Sequence, residues 1–261
     1  METIQINQPQ DLYKLYAALK LYGQWVQPRG ESTLEIENFS YVCQPYIRYN
    51  NFQGRNFNLK YLKREMAWYI KADPTDLSIA EHASQWGKII ANGKLNSNYG
   101  SYWFGRYGVE RIVSILKRDP MSRRAVIPMY GTDADHMDPE AKDVPCTIAI
   151  EFRISNDKLN AHAIMRSQDI LWGMGNDLPT FSFLQEIVAA LLEIPMGTLT
   201  VTVGSFHVYE SRMTMFNDIV TNKNLLPVSD PAPKIEHQEA VWLSNSIIKP
   251  TMAFGKWLMN I

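Results

Sequence analysis

Thr147-Ile148-Ala149-Ile150-Glu151-Phe152-Arg153-Ile154-Ser155-Asn156-Asp157-Lys158-Leu159-Asn160-Ala161-His162-Ala163-Ile164-Met165 holds two alternating runs on either side of a polar turn. Strand side chains repeat every two residues. Ile148, Ile150, Phe152 and Ile154 alternate with Thr147, Glu151 and Arg153, and Leu159 to Met165 alternates again, so the stretch predicts a hairpin starting at Cys146. A third run, Leu199, Val201, Val203, Ser205, His207 and Tyr209, predicts a strand with those six side chains on one face. His207 and Tyr209 should therefore point the same way. Between these strands, Phe181 to Leu192 is apolar enough for a buried helix, and Asp177-Leu178-Pro179 reads as its N-cap followed by a first-turn proline. Helical periods recur at Leu12, Leu15, Tyr16, Leu19 and Tyr22, at Leu59, Leu62, Met66 and Tyr69, and at Val109, Ile112, Val113 and Leu116. Late strands among scattered helices, without regular βαβ alternation, give an α+β fold.

The chain of 261 residues is 46% apolar and 20% charged, an ordinary globular composition. No repeat, low-complexity tract or linker divides it, and the Pro-dense stretch from Pro227 to Pro233 lies too late to bound a second large domain. A single domain over residues 1–261 is expected. A net charge of -1 removes the electrostatic case for nucleic-acid or membrane-surface partners, so any anionic ligand must be met by local arginines. Two cysteines, Cys43 and Cys146, make no disulfide framework and suit a reducing compartment. With no signal-peptide pattern at Met1-Glu2-Thr3-Ile4-Gln5 and no membrane-length apolar run, a soluble, cytoplasmic protein is expected.

HExxH, CxxC and GxxxxGK[ST] patterns are absent, and Gly173-Met174-Gly175 lacks a third glycine in fingerprint spacing, so no metal or dinucleotide site is expected. Cys146, after a proline at a strand start, reads either as a nucleophile activated by a nearby cation or as a small buried hydrophobe. Arg29, Arg123, Arg124 and Arg166 form a candidate phosphate clamp, with Ser167 adding a hydroxyl. Alternatively, Asp119-Pro120-Met121-Ser122-Arg123-Arg124 is a polar turn before a strand. Glu65, in the helical Arg64-Glu65-Met66-Ala67-Trp68-Tyr69, is either a solvated helix residue or a pocket carboxylate for proton transfer. His207 and Tyr209 also read as buried residues satisfying core hydrogen bonds.

In chain order, Arg29-Gly30, Asp119-Pro120-x-Ser122-Arg123-Arg124, Pro145-Cys146, Arg166-Ser167-x-Asp169-x-x-x-Gly173 and His207-x-Tyr209 resemble the thymidylate synthase family across almost the whole chain. The resemblance implies a large, mostly antiparallel or mixed sheet packed with helices. It also implies a homodimer in which Arg123 and Arg124 reach the partner's site, and a cysteine, Cys146, that attacks C6 of a pyrimidine nucleotide. The implied one-carbon donor is 5,10-methylenetetrahydrofolate, with Trp86, Asp169 and Gly173 at folate-contacting positions. Arg29, Arg123, Arg124, Arg166 and Ser167 would hold the phosphate, and His207 and Tyr209 the sugar hydroxyl.

Three departures stand out. The family usually carries His after the cysteine, Gln before Arg-Ser and Asn at the base-reading position, whereas this chain has Thr147, Met165 and Asp177. With Arg64-Glu65-x-x-Trp68-Tyr69, Asn96-Ser97-Asn98-Tyr99-Gly100 and Gly204-Ser205-x-His207-Val208-Tyr209, they resemble the bacteriophage deoxycytidylate hydroxymethylase branch. Asp177 would accept from the cytosine amino group and share a proton with N3, while its ionised form would face O4 of uracil unfavourably. Glu65 would position the water that ends the reaction, with Tyr99 in the surrounding network. The implied substrate is dCMP. A deoxycytidylate C5-methylase, a CMP hydroxymethylase, a dUMP-specific thymidylate synthase and a non-catalytic nucleotide- or RNA-binding homologue are the alternatives.

Overall fold

A computed structural model describes residues 2–131 and 134–260, apart from the side chains of Arg29, Ala134 and Asp135. In chain order the elements are β1 (Ile4–Ile6), α1 (Tyr13–Tyr22), β2 (Gln24–Val26), β3 (Thr33–Cys43), α2 (Leu59–Lys71), α3 (Ser84–Ile89), α4 (Gly100–Trp103), α5 (Val109–Arg118), β4 (Val126–Pro128), β5 (Thr147–Ser155), β6 (Lys158–Asp169), α6 (Gly173–Leu192), β7 (Met196–Tyr209), α7 (Met213–Asn222), α8 (His237–Ser244) and α9 (Ala253–Met259). Among the described residues the seven strands make a mixed sheet in the order β1-β3-β7-β6-β5-β4, with β2 pairing to β3 off that path. The β1–β3 pair is parallel, and β2–β3, β3–β7 and β4–β5 are antiparallel. The α+β architecture with a mixed sheet is the one expected.

The β5–β6 hairpin forms where the alternation places it. Asn156 and Asp157 both take positive φ, 52° and 56°, as the two central residues of a type I′ turn must, and these residue types tolerate that region. Ile150 and Phe152 are buried, but Ile148 is 37% exposed, so the apolar side of β5 is shorter than its sequence suggests.

Two compact units are each assembled from separated stretches of chain. One comprises Met1–Phe57, His162–Phe183 and Gly197–Pro231. Its core is aromatic: Phe39 stacks on Phe206 at 4.5 Å, and Tyr16 meets Phe52 edge-on at 5.3 Å. Each fully buried phenylalanine contributes roughly 1.5–3 kcal/mol relative to exposure. In this unit the expected single face from Leu199 to Tyr209 is interrupted. Leu199, Val201 and Val203 are buried, and then Phe206 and Val208 take over the buried side. β3 switches in the same place, from Leu34 and Ile36 to Phe39 and Tyr41, and β6 switches from Ala163 and Met165 to Gln168. The cause is local on β3, where Asn38 has φ 52° and breaks the pleat between the pairs Glu37↔Ser205 and Phe39↔Val203. On β7, Gly204 lies so near β6 that a Cβ would come within 2.8 Å of the Arg166 carbonyl oxygen. His207 and Tyr209 do point the same way, their rings meeting edge-on at 5.0 Å.

The second unit comprises Asn58–Ala161, Leu184–Met196 and Ala232–Ile261. Its α2 starts at Asn58, whose side chain accepts from the Tyr61 amide at 3.0 Å, and it stops at Ala72, which is left-handed with φ 55°. Leu62, Met66, Tyr69 and Ile70 bury one flank of the helix. The turn from Leu95 to Gly100 lies directly on the helix end. Asn98 Nδ2 donates to the Asp73 carbonyl at 3.2 Å, and a Cβ on Gly100 would come within 1.5 Å of the Tyr69 carbonyl oxygen. That approach is open only to glycine.

Helix α6 is buried along its length, as its composition predicts, but it begins at Gly173 rather than after Asp177. Asp177 is therefore not an N-cap. Asp169 holds the turn that leads into α6, its Oδ1 accepting from the Leu171 amide at 3.0 Å and its Oδ2 from the Trp172 amide at 3.1 Å. Pro179 lies inside the helix and supplies no amide to the preceding turn. Thr180 Oγ1 adds side-chain bonds to the same turn, donating to the carbonyls of Asn176 at 2.8 Å and Asp177 at 3.0 Å.

Candidate active site

The candidate residues divide between the two units. Arg166, Ser167, Asp169, Gly173, Asp177, His207 and Tyr209 belong to the first, with Arg29, whose side chain lies outside the described residues. Glu65, Trp86, Tyr99, Arg123, Arg124 and Cys146 belong to the second.

In the first unit, Asp177 projects from the second turn of α6 and is half-buried. Gln168 Nε2 donates to its Oδ2 at 3.0 Å, and Gln168 Oε1 accepts from the Tyr41 hydroxyl at 3.1 Å. Burial pushes the Asp177 pKa up to about 7; the Gln168 hydrogen bond pulls against that, and the Asp169 charge adds to it. A carboxyl so placed is a mixture of acid and carboxylate at neutral pH. A Cβ on Gly173 would lie 3.5 Å from Asp177 Oδ2, an ordinary van der Waals contact. Gly175 is required, because a Cβ would fall 1.3 Å from Nη2 of the buried Arg55. Arg55 Nε donates to the Leu171 carbonyl at 2.5 Å and so pins the turn that Asp169 also holds.

His207 is buried, with Nδ1 3.2 Å from the Ser205 carbonyl oxygen. A carbonyl only accepts, so Nδ1 carries the hydrogen and Nε2 of the neutral ring is an acceptor. Ser205 Oγ in turn donates to Glu35. Arg166 and Ser167 are half-buried at the break in β6.

In the second unit, Cys146 immediately precedes β5 and is half-buried. Cys43 is its opposite: buried in β3, with its thiol pKa pushed up to about 12 by that burial, it is the inert thiol of the two. Thr147, where the family usually has histidine, is fully buried inside β5. Glu65 is buried on α2 rather than solvated, and accepts from the Tyr61 hydroxyl at 3.0 Å. Tyr61 accepts in turn from Trp86 Nε1 at 2.7 Å. Burial and the neighbouring Glu65 raise the Tyr61 pKa well above its ordinary value, so the phenol remains a donor at any working pH. The Tyr99 ring stacks on Tyr69 at 5.4 Å, one helical turn beyond Glu65. Arg123 and Arg124 are exposed before β4, on a cleft that Arg118 and Ser122 also line. The turn reading of Asp119 to Ser122 holds as well, the Asp119 side chain accepting from the Met121 amide at 3.1 Å.

Four residues escaped the sequence reading. Tyr61 was legible as the residue one helical turn before Glu65, on the same flank. Gln168 lay inside the quoted motif as an unassigned position. Tyr41 and Arg55 carry no sequence signal that points to Gln168 or Gly175. Among the described residues no group of three or more His, Cys, Asp or Glu side chains is arranged to hold a metal ion. No helix there is long and apolar enough to cross a membrane.

Residues 30–243 match the family model described as thymidylate synthase. The chain is 27% identical over 272 residues to a deoxyuridylate hydroxymethyltransferase of Bacillus phage SP01, covering 97% of this chain and 71% of that protein. To a deoxyuridylate hydroxymethyltransferase of Delftia phage PhiW-14 it is 24% identical, covering 84% of this chain and 66% of that protein. To the deoxycytidylate 5-hydroxymethyltransferase of Enterobacteria phage T4 it is 29% identical, covering 74% of this chain and 82% of that protein.

Proposed function

Because the chain belongs to the thymidylate synthase family, we propose that it transfers a one-carbon unit from 5,10-methylenetetrahydrofolate to C5 of dCMP, with water completing a hydroxymethyl group. The observation that carries this reading is Asp177: a carboxyl stands where the family usually has a neutral asparagine, and Gln168 holds one of its oxygens. The acid form pairs with cytosine, its hydroxyl donating to N3 and its other oxygen accepting from the N4 amino group. The relatives named for hydroxymethyl transfer support water, rather than hydride, as the last reactant.

In this reading the Cys146 thiolate adds to C6 and turns C5 into an enamine-like nucleophile. Methylenetetrahydrofolate supplies the one-carbon unit, against Trp86, Asp169 and Gly173. The half-buried Trp86 indole suits a flat ring system. C5 loses its proton, tetrahydrofolate leaves, and water adds to the resulting exocyclic methylene. Cys146 is then expelled from C6. Glu65, its Oε1 held by Tyr61, positions that water and takes its proton, with Tyr99 in the same network. The Asp177 carboxyl stabilises the base while its ring is saturated. Arg29, Arg166 and Ser167 hold the phosphate with Arg123 and Arg124 of a second subunit, whose exposure suits that reach. His207 accepts the sugar hydroxyl at Nε2, and Tyr209 contacts the sugar beside it.

A second reading is hydroxymethylation of dUMP. It is favoured by the names of the Bacillus and Delftia phage relatives, and by the raised pKa of Asp177, whose acid form can also pair with uracil. The test is incubation with methylenetetrahydrofolate and each of dCMP, CMP and dUMP, recording product mass and folate redox state. A gain of CH₂O on dCMP with tetrahydrofolate released is expected; a methylated base with dihydrofolate would overturn the proposal. Cys146→Ser should lower turnover by at least about 10³-fold. A variant as active as the parent would remove Cys146 from the mechanism.

A further inference from the structure

A carboxylic acid offers a base one donor and one acceptor, but which oxygen donates is open. Cytosine presents an acceptor at N3 beside a donor at position 4, and uracil presents the reverse. An acid free to carry its proton on either oxygen would satisfy both edges equally well. The side chain at position 177 does not by itself choose between the bases; the place of its proton does.

That place is set from beneath. Tyr41 is fully buried, and Gln168 is the one hydrogen-bond partner of its hydroxyl among the described residues, at 3.1 Å. The phenol hydrogen must therefore go to Gln168 Oε1, because the opposite amide orientation would leave it buried and unmade. The Gln168 amide then presents an N–H to Asp177 Oδ2 at 3.0 Å. An oxygen that accepts an N–H keeps its lone pair there, and a proton on Oδ2 would compete with that bond. Neutral Asp177 thus carries its hydrogen on Oδ1.

We propose that Gln168, aligned by Tyr41, is a specificity-determining positioning residue: by confining the Asp177 proton to Oδ1 it makes the carboxyl read the cytosine edge and refuse the uracil edge. Oδ1 donates to N3 while Oδ2 accepts from both Gln168 and the N4 amino group. With uracil in the same pose, N3–H would meet the Oδ1 hydroxyl and O4 would meet Oδ2, two mismatches at once. The inference rests on the reading that Asp177 faces the 3,4-edge of the base, and it extends that reading to residues that do not touch the substrate.

The test compares kcat/KM for dCMP and dUMP in the full-length parent, Gln168→Leu, Tyr41→Phe and Asp177→Asn. Loss of one hydrogen bond to a carboxyl corresponds to a factor of about 10–100. The dCMP-to-dUMP ratio is expected to fall by about that factor in Gln168→Leu, and by less in Tyr41→Phe, which keeps the ring in the core. Both ratios should fall mainly through improved use of dUMP, an effect that general damage to the fold would not produce. If Gln168→Leu does not fold, Tyr41→Phe alone decides. An unchanged ratio in a folded variant, with Asp177→Asn still shifting base preference, overturns the role of Gln168 and leaves the base-reading role of Asp177 standing. An unchanged ratio in Asp177→Asn overturns both.

Discussion

At the scale of the residue, burial decides what the two thiols and the central carboxyl can do. Cys43 and Cys146 are chemically the same side chain, and only the second is accessible enough to react. Asp177 holds its proton to about pH 7, against an ordinary carboxyl value of 3.8. Below about pH 4 the group is protonated in both folded and unfolded chains and has no net effect. Between about pH 4 and 7 the unfolded chain releases the proton and the folded one retains it, so stability at this position is lost as pH rises through that window and levels off above it. Asp177→Asn has no such titration. Urea unfolding of parent and variant at pH 5 and pH 8 should show the variant gaining on the parent at the higher pH. A constant difference would mean that the fold does not perturb Asp177.

At the scale of the element, helix α2 carries its own positioning device. Tyr61 and Glu65 sit one turn apart, where side chains four residues apart meet, and Trp86 from α3 closes the chain of donors. Tyr61→Phe keeps the ring and removes the hydrogen bond to Glu65. Its expected effect is a fall in kcat of about 10–100-fold with a smaller change in KM, the size of one hydrogen bond lost from a buried carboxyl. A steeper loss in KM than in kcat would instead place Tyr61 in ground-state binding. The hairpin of β5 and β6 and the helical period of α2 were both legible in sequence, because each follows from a repeat and a turn within about 20 residues. The start of α6 was not. The Asp-Leu-Pro triplet carries a real N-cap signal, but Asp169 and Arg55 hold the chain in a turn that lets the helix begin at Gly173.

At the scale of the whole molecule, the proposed homodimer makes a prediction that no single subunit can meet. A Cys146→Ser chain and an Arg123→Ala/Arg124→Ala chain should each be inactive alone. Refolded together, they should recover roughly a quarter of parental activity, since half the dimers are mixed and each mixed dimer has one intact site. No recovery, with mixed dimers verified by mass, would place both arginines in their own subunit's site. The hairpin and its turn, the helical periods of α1, α2 and α5 and the buried character of α6 were all determined by the sequence itself, because periodicity and turn chemistry act over a few residues. Tertiary structure alone decided which face each long strand buries, because one left-handed residue, Asn38, and one close approach, at Gly204, reverse an alternation that reads as continuous. It alone decided what aligns Gln168 against Asp177 as well. Gln168 meets Tyr41 from 127 residues away in the chain, and no local pattern encodes a contact, or the proton it places, over that distance.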